Sequence, residues 1–437
     1  MDLTSVDYFN DPLLALDPWG LLDYLAENKP VWQEPRHGVV VVTGYEEALT
    51  VLRSPATFSS ATIVAGPDPM KRFPVRPEGD DLTEFVNQHR HLLPENDQIV
   101  SADPPRHTAQ RALLMGLITP KRLKENEEFI WRLTDRQLDA VLSQGRVEII
   151  SAYAQPYTLL VIADLMGVPE EDHEMLLARR GFGQGMPGTA ATRSGEAQPG
   201  AAARGRSRRH NTLEMLYEYF VERIEERRRE PRGDVLSGMA AATFPDGRVP
   251  EPIEVARIAS NMFTAGQETT VRLIGAALRR IADDPELQAR LRAHRELIPR
   301  FVEETLRIEG PIRGEFRLCL KSTELGGVPI PAGTTVMVTN GAANRDPRQF
   351  ECPAEFRVER ENARRHIAFG YGVHTCPGAP LARSEARITI ERLLDRTQDI
   401  RISETAHGPA GARRFDYMPT YMFTGLVALN LEFTVRG

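Results

Sequence analysis

Apolar residues recur along most of this chain at helical spacing, interrupted by short alternating or valine-rich runs. Residues 13–34 read as a short helix leading to a strand-like run from His37 to Thr43, and Tyr45 to Leu52 reads as helix again. Phe58-Ser59-Ser60 is extended. Residues 62–100 hold many Pro, Gly and Asp with weak periodicity and read as a long loop. The helical period returns after Asp103, a candidate cap whose following prolines fix the entry. It continues through 121–180, where Gly167-Val168-Pro169 closes a helix begun at Pro156. Residues 181–209, rich in Gly, Ala, Arg and Ser, have little to bury and read as a mobile stretch. Helix resumes at about Thr212 and runs through Arg229, and residues 252–281 carry one long helical pattern. Pro311 to Arg317 is expected to be extended, with alternation sending Arg313, Glu315 and Arg317 to one side. Leu325 to Val338 reads as a hairpin turning at Pro331-Ala332-Gly333, and Tyr417 to Phe433 as strands with a turn.

At 437 residues, 41% of them hydrophobic, the chain can bury a substantial core. A net charge of −7 argues against general nucleic-acid binding. Three scattered cysteines make no disulfide framework and no zinc or iron–sulfur cluster, and fit a reducing compartment. No stretch approaches the ~18 apolar residues that span a bilayer. The amino terminus lacks the basic start and apolar core of a signal peptide.

Candidate chemistry concentrates in four places. In Phe369-Gly370-Tyr371-Gly372-Val373-His374-Thr375-Cys376-Pro377-Gly378, the glycines allow a sharp turn and close approach to a flat partner. Cys376 lies just before a predicted helix, where backbone N–H groups favour a thiolate; a thiolate beneath a large planar ligand suits the loop, with His374 free to meet that ligand's charged edge. His107 and Arg111 stand four apart on one helical face, able to grip a dianionic group. Within Ala265-Gly266-Gln267-Glu268-Thr269-Thr270, Gly266 costs about 1 kcal/mol relative to Ala in a helix interior. The small residue would leave room for a diatomic ligand, with Thr269 donating to it and Glu268 passing protons inward; otherwise Glu268 is solvated and Thr269 bonds back to its own helix. Glu304 and Arg307 share one helix face.

The ten-residue cysteine loop resembles the haem-binding loop of the cytochromes P450. Asp103-Pro104-Pro105-Arg106-His107 with Arg111, the Ala265–Thr270 segment, Glu304-x-x-Arg307 and Ala343–Pro347 resemble further segments of the same family, so the likeness spans nearly the whole chain. It implies one large P450 domain over 1–437, mainly α with small β-sheets, with 62–100 and 181–209 over the substrate pocket. It implies haem b with Cys376 as axial iron ligand. His107, Arg111, Arg317 and His374 would meet the propionates, and Phe369, Gly370, Gly378, Ala265 and Gly266 would border the haem. Thr269 and Glu268 would be catalytic, and Met262, Ala265, Ile312, Arg313, Gly314, Met422 and Phe423 would line the substrate pocket. Arg313 is either solvent-directed or paired with a substrate oxygen, and Met422 and Phe423 are either pocket tip or core. Glu304 and Arg307 would lock the scaffold, with Arg357 or Arg360 as third member because Glu355 stands where many relatives have Arg. The implied activity is insertion of one atom of dioxygen into a C–H bond of a small, largely apolar substrate. Electrons would come from NAD(P)H through a ferredoxin reductase and a separate ferredoxin, docked on the cysteine side with help from Arg106 and Arg111. The expectation is a cytoplasmic monomer without membrane anchor or fused reductase; a peroxide-driven relative and a haem sensor or carrier are the alternatives.

Overall fold

The computed structural model describes residues 2–115, 118–178 and 201–436. Its centre is the Pro252–Asp283 helix, opened by proline and by a capping box in which Glu251 and Glu254 satisfy each other's backbone N–H groups. Against it pack the helices Gln155–Met166, Ala201–Arg229 and Ala379–Arg396. Gln155–Met166 is buried on nearly every side, which is why its sequence is apolar all round. Most of the expected stretch 181–209 falls outside the described residues, but helix already begins at Ala201. Ala and Arg are strong helix formers, so the absence of an apolar stripe did not prevent helix there.

Five short strands form the main sheet, in the order Val31–Gln33, Val40–Val42, Thr335–Val338, Glu315–Cys319 and Phe58–Ser59. All pairs are antiparallel except Val40–Val42 with Thr335–Val338. The hairpin expected to turn at Pro331–Gly333 instead turns at Gly326-Gly327, both left-handed at φ 55° and 78°, and pairs Thr323–Leu325 with Val328–Ile330. Pro331–Gly333 redirects the chain into the main sheet. The 62–100 segment is not all loop: Thr83–His89 is helical. Asp103 does not cap the next helix, which starts at Arg106. Its carboxylate accepts from Ser60 N at 2.8 Å and pairs with Ser59 Oγ and Arg90, because a guanidinium and a hydroxyl offer stronger bonds than a helix N–H.

Behind the cysteine loop, Arg307 forks onto Glu304 at 2.7 and 2.8 Å, both fully buried. Arg360 completes the lock, its Nε donating to Glu304 Oε1 at 3.0 Å, while Arg357 contributes only its backbone N–H at the same distance. Spare guanidinium protons go to carbonyls of Asn344, Pro353, Glu351 and Glu355. Every charge in this triad is thus paired, the condition under which a buried ion pair holds. Arg360→Ala should therefore cost about 2 kcal/mol in urea unfolding, since Glu304 keeps Arg307 but loses one charged hydrogen bond and the 351–355 carbonyls lose their donor. Arg357→Ala, which removes an exposed side chain paired with Glu355 and Glu351, should leave the midpoint near wild type.

Candidate active site

Two glycines shape the cysteine loop. Gly370 and Gly372 are left-handed at φ 68° and 69°, and a Cβ on Gly372 would stand 2.4 Å from Leu52 O. The loop closes with Cys376 N donating to Phe369 O at 2.8 Å, and the Ala379–Arg396 helix follows. Cys376 thereby faces a cavity of about 390 Å³ and is part-exposed toward it. Burial pushes the Cys376 thiol up, against the pull of the Gly378 and Ala379 backbone N–H groups, Arg111 and Arg383. The helix terminus alone therefore does not make a thiolate here; a cation at the sulfur is needed.

The Pro252–Asp283 helix forms another wall through Met262, Ala265, Gly266 and Thr269. A Cβ on Gly266 would meet only Ile162, at 3.7 Å, so the glycine leaves free space rather than relieving a clash. Thr269 Oγ1 donates to Ala265 O at 2.8 Å, which leaves its oxygen lone pairs for the cavity. Glu268 does not line the cavity. It is paired with Arg272, whose other nitrogen bonds Leu426 O in the carboxy-terminal segment. That segment bends back so that Phe423 bridges Ile312, and Ile312, Gly314, Met422 and Phe423 all line the cavity.

At one edge of the cavity, basic groups converge. His107 and His374 have ring centroids 4.1 Å apart, and Arg111 donates to Thr375 O at 2.6 Å. Burial, then Arg317, His107 and Arg111, depress the His374 ring to about 2, against a backbone bond with Ala102, so it is neutral here. Burial and Arg111 likewise lower His107. The buried His374 Nε2 and His107 Nδ1 have no partner. Arg317 does not border the cavity directly. It pairs with Glu315 at 2.6 Å, and Glu315 lines the cavity.

Arg313 is placed differently from both expectations. It is neither solvent-directed nor on the cavity: Nη1 donates to Ala15 O at 2.8 Å and Thr420 O at 3.2 Å, and Nη2 to Thr424 Oγ1 at 3.1 Å. The cause is local. Arg313 N and Gly314 N both donate to Met422 O, so the pleat starts only at Glu315 and its alternation does not reach back to 313. Arg106 also departs from expectation: it reaches the carbonyls of Asn96 and Asp97 rather than the cysteine loop. Five residues along a helix turn it away from the face of Arg111.

Glu385 went unnoticed in the sequence. It lines the cavity from the cysteine side, its Oε2 is unpartnered, and burial drives its carboxyl well above the usual range. Its position four residues after buried Leu381 and four before buried Thr389 is the available signal: an acid on the core stripe of a helix.

The cavity fits iron protoporphyrin. It offers a sulfur facing the cavity, apolar walls for a flat ring, and unpartnered ring nitrogens of His107 and His374 beside the Arg111 guanidinium for two carboxylates. A larger open cleft, about 860 Å³, lies between the Pro285–Ala293 helix and residues 349–362 and contains none of these groups.

Such a site defines a haem-thiolate protein, and comparison with known proteins agrees. The cytochrome P450 family model matches residues 202–398. Cytochrome P450 CYP150A6 of Mycobacterium marinum, in its substrate-free form, is 47% identical with a TM-score of 0.90 over the whole of both chains. The 6-deoxyerythronolide B hydroxylase of Saccharopolyspora erythraea is 33% identical over 82% of each chain. CYP109E1 of Bacillus megaterium, solved with testosterone, is 26% identical with a TM-score of 0.77 over 95% of this chain and 99% of that one. The chain belongs to the cytochrome P450 family: it is a monooxygenase that uses haem b and dioxygen and needs a redox partner. No helix among the described residues is long and apolar enough to cross a membrane.

The loop is braced from behind by Glu303, which accepts from Arg383 Nε at 2.6 Å and His366 Nε2 at 3.0 Å, while Arg383 covers the Phe369 ring at 4.7 Å. Burial would raise the Glu303 carboxyl, but these bonds prevail and hold it at about 2. Its folded value lies below the ordinary 4.5, so its contribution is complete above that pH and is lost as pH falls toward 2. Glu303→Gln should be less stable at pH 7 yet show a shallower loss of stability between pH 5 and 3, measured by urea unfolding with the Soret band as reporter.

Proposed function

We propose that this P450 hydroxylates, or oxidatively demethylates, a small and largely apolar substrate of steroid or terpenoid size, with electrons from a separate ferredoxin. The carrying observation is the apolar lining of the cavity that Cys376 shares with Ile63, Val64, Ile99, Val100, Met262 and Phe423. Such a wall recognises shape and apolar area rather than charge. A relative named as a hydroxylase of 6-deoxyerythronolide B and a neighbour solved with testosterone support this class.

When bound, a thiolate-ligated haem supplies dioxygen cleavage and oxidation of unactivated C–H bonds. Cys376 would hold the iron, and His107, Arg111 and His374 would hold the propionates, while Arg317 stays paired with Glu315. Thr269 presents a hydroxyl to the cavity and Glu268 brings protons toward it, released from Arg272 when it does so. The Glu268–Thr269 pair favours dioxygen over peroxide as oxidant. Ile312, Gly314, Met422 and Phe423 set substrate orientation.

For electron delivery, the exposed face of the cysteine loop offers Tyr371 and Val373, with Arg53 bonded to Tyr371 and exposed Arg364 nearby on the Glu303 brace. An apolar centre with a basic rim suits an acidic ferredoxin.

Thr269→Ala should keep substrate affinity and NADH consumption but lose product by roughly tenfold, the electrons appearing as hydrogen peroxide. Equal product yield from both enzymes would remove Thr269 from the scheme. Arg364→Glu should raise the KM for ferredoxin several-fold at low salt and little at high salt, with ligand-induced spectral shifts unaltered. A salt-independent effect would place the donor elsewhere.

A further inference from the structure

Far in sequence from the cysteine loop, the turn joining strands Val31–Gln33 and Val40–Val42 gathers groups that oxygen chemistry does not use. Glu34 opens this turn, with its N–H on Val39 O at 2.8 Å and its carbonyl accepting from Gly38 N at 3.0 Å. Its side chain is completely buried. Oε2 accepts from His37 N at 2.6 Å, but Oε1 has no hydrogen-bond partner. A buried carboxylate oxygen without a donor is costly and rare, and marks a place where something else supplies positive charge.

Two further groups converge there. His37 Nε2 lies 3.2 Å from Asp7 Oδ1, and one ligand atom each from Asp7, Glu34 and His37 fall within 4.8 Å of one another. Asp68 Oδ2 stands 3.7 Å from the opposite ring nitrogen, Nδ1. Asn10 Nδ2 holds Asp7 by its other oxygen at 3.1 Å and also lies 3.1 Å from His37 Nε2. Lys71 bonds Asp68 on its outer side at 2.9 Å. Three carboxylates thus surround one imidazole, with a single ammonium on the outermost. Asp7 and His37 are part-exposed, so an ion can enter from solvent.

We propose that Asp7, Glu34 and His37 bind one divalent cation of the zinc class, with the Asp68 carboxylate facing the far side of the His37 ring. Tetrahedral bonds of about 2.0–2.2 Å set neighbouring ligand atoms roughly 3.3 Å apart, close to the Asp7–His37 spacing. One imidazole with two carboxylates is a donor set for zinc rather than for calcium or magnesium, which take oxygen alone. Asp68, 3.7 Å from the far ring nitrogen, favours the proton on that side, and Nε2 would exchange its Asp7 and Asn10 contacts for the metal. The ion would join three distant segments: the amino-terminal stretch, the strand turn, and the 62–100 segment, which supplies Ile63 and Val64 to the cavity wall.

The test uses haem-loaded protein carrying Cys352→Ser, so that neither the exposed Cys352 nor Cys376 offers a thiol to zinc. After chelation, reloading with zinc chloride and desalting, metal analysis should find one equivalent of zinc per chain. The thermal midpoint should rise with added zinc. In the Asp7→Asn/His37→Gln variant, at part-exposed positions and with its haem spectrum checked for folding, both effects should vanish. Magnesium chloride should reproduce neither. No zinc retained, or equal zinc in the variant, overturns the site, and the result is independent of any monooxygenase activity.

Discussion

A sulfur atom facing a protein-lined cavity is the constraint on which this molecule turns. Removed from water, Cys376 would keep its proton, since the nearby N–H groups and arginines do not outweigh the loss of solvation. Only a cation brought to the sulfur reverses that balance. Such a site would be completed by its occupant: loop, helix terminus and basic edge supply partial neutralisation, and haem iron would supply the remainder.

Holding that loop in place falls to charges buried behind it. Glu304, Arg307 and Arg360 spend their hydrogen bonds on one another and on carbonyls from residues 344–355, so an irregular meander becomes rigid without forming secondary structure. Glu303 does the same nearer the cysteine, joining the Ile298–Glu309 helix to Arg383 on the helix that follows it. Arg313 serves a third junction, between the amino-terminal helix and the carboxy-terminal hairpin.

Much of this was legible in the residues, because a binding loop must be contiguous and its glycines cannot be exchanged freely. The spacing from Phe369 to Gly378, the helix beginning at Pro252, and the pairs His107/Arg111 and Glu304/Arg307 are all local patterns. What escaped depends on partners distant in the chain. Arg313 was misplaced because Met422 O, 109 residues on, interrupts the pleat. The third member of the lock stayed open because Arg357 and Arg360 look alike until Glu304 chooses between backbone and guanidinium. The helix start at Ala201 was missed because propensity, not an apolar stripe, carries it. Glu385 was readable as an acid on a core stripe, but nothing local says which cavity it meets.

Arg272 links matters usually kept apart. One guanidinium holds both the Glu268 carboxylate and the Leu426 carbonyl, three residues beyond the Phe423 tip. A guest that lifts this tip also disturbs the counter-charge of the acid beside it. The position of that tip and the charge balance around Glu268 thus hang on one side chain.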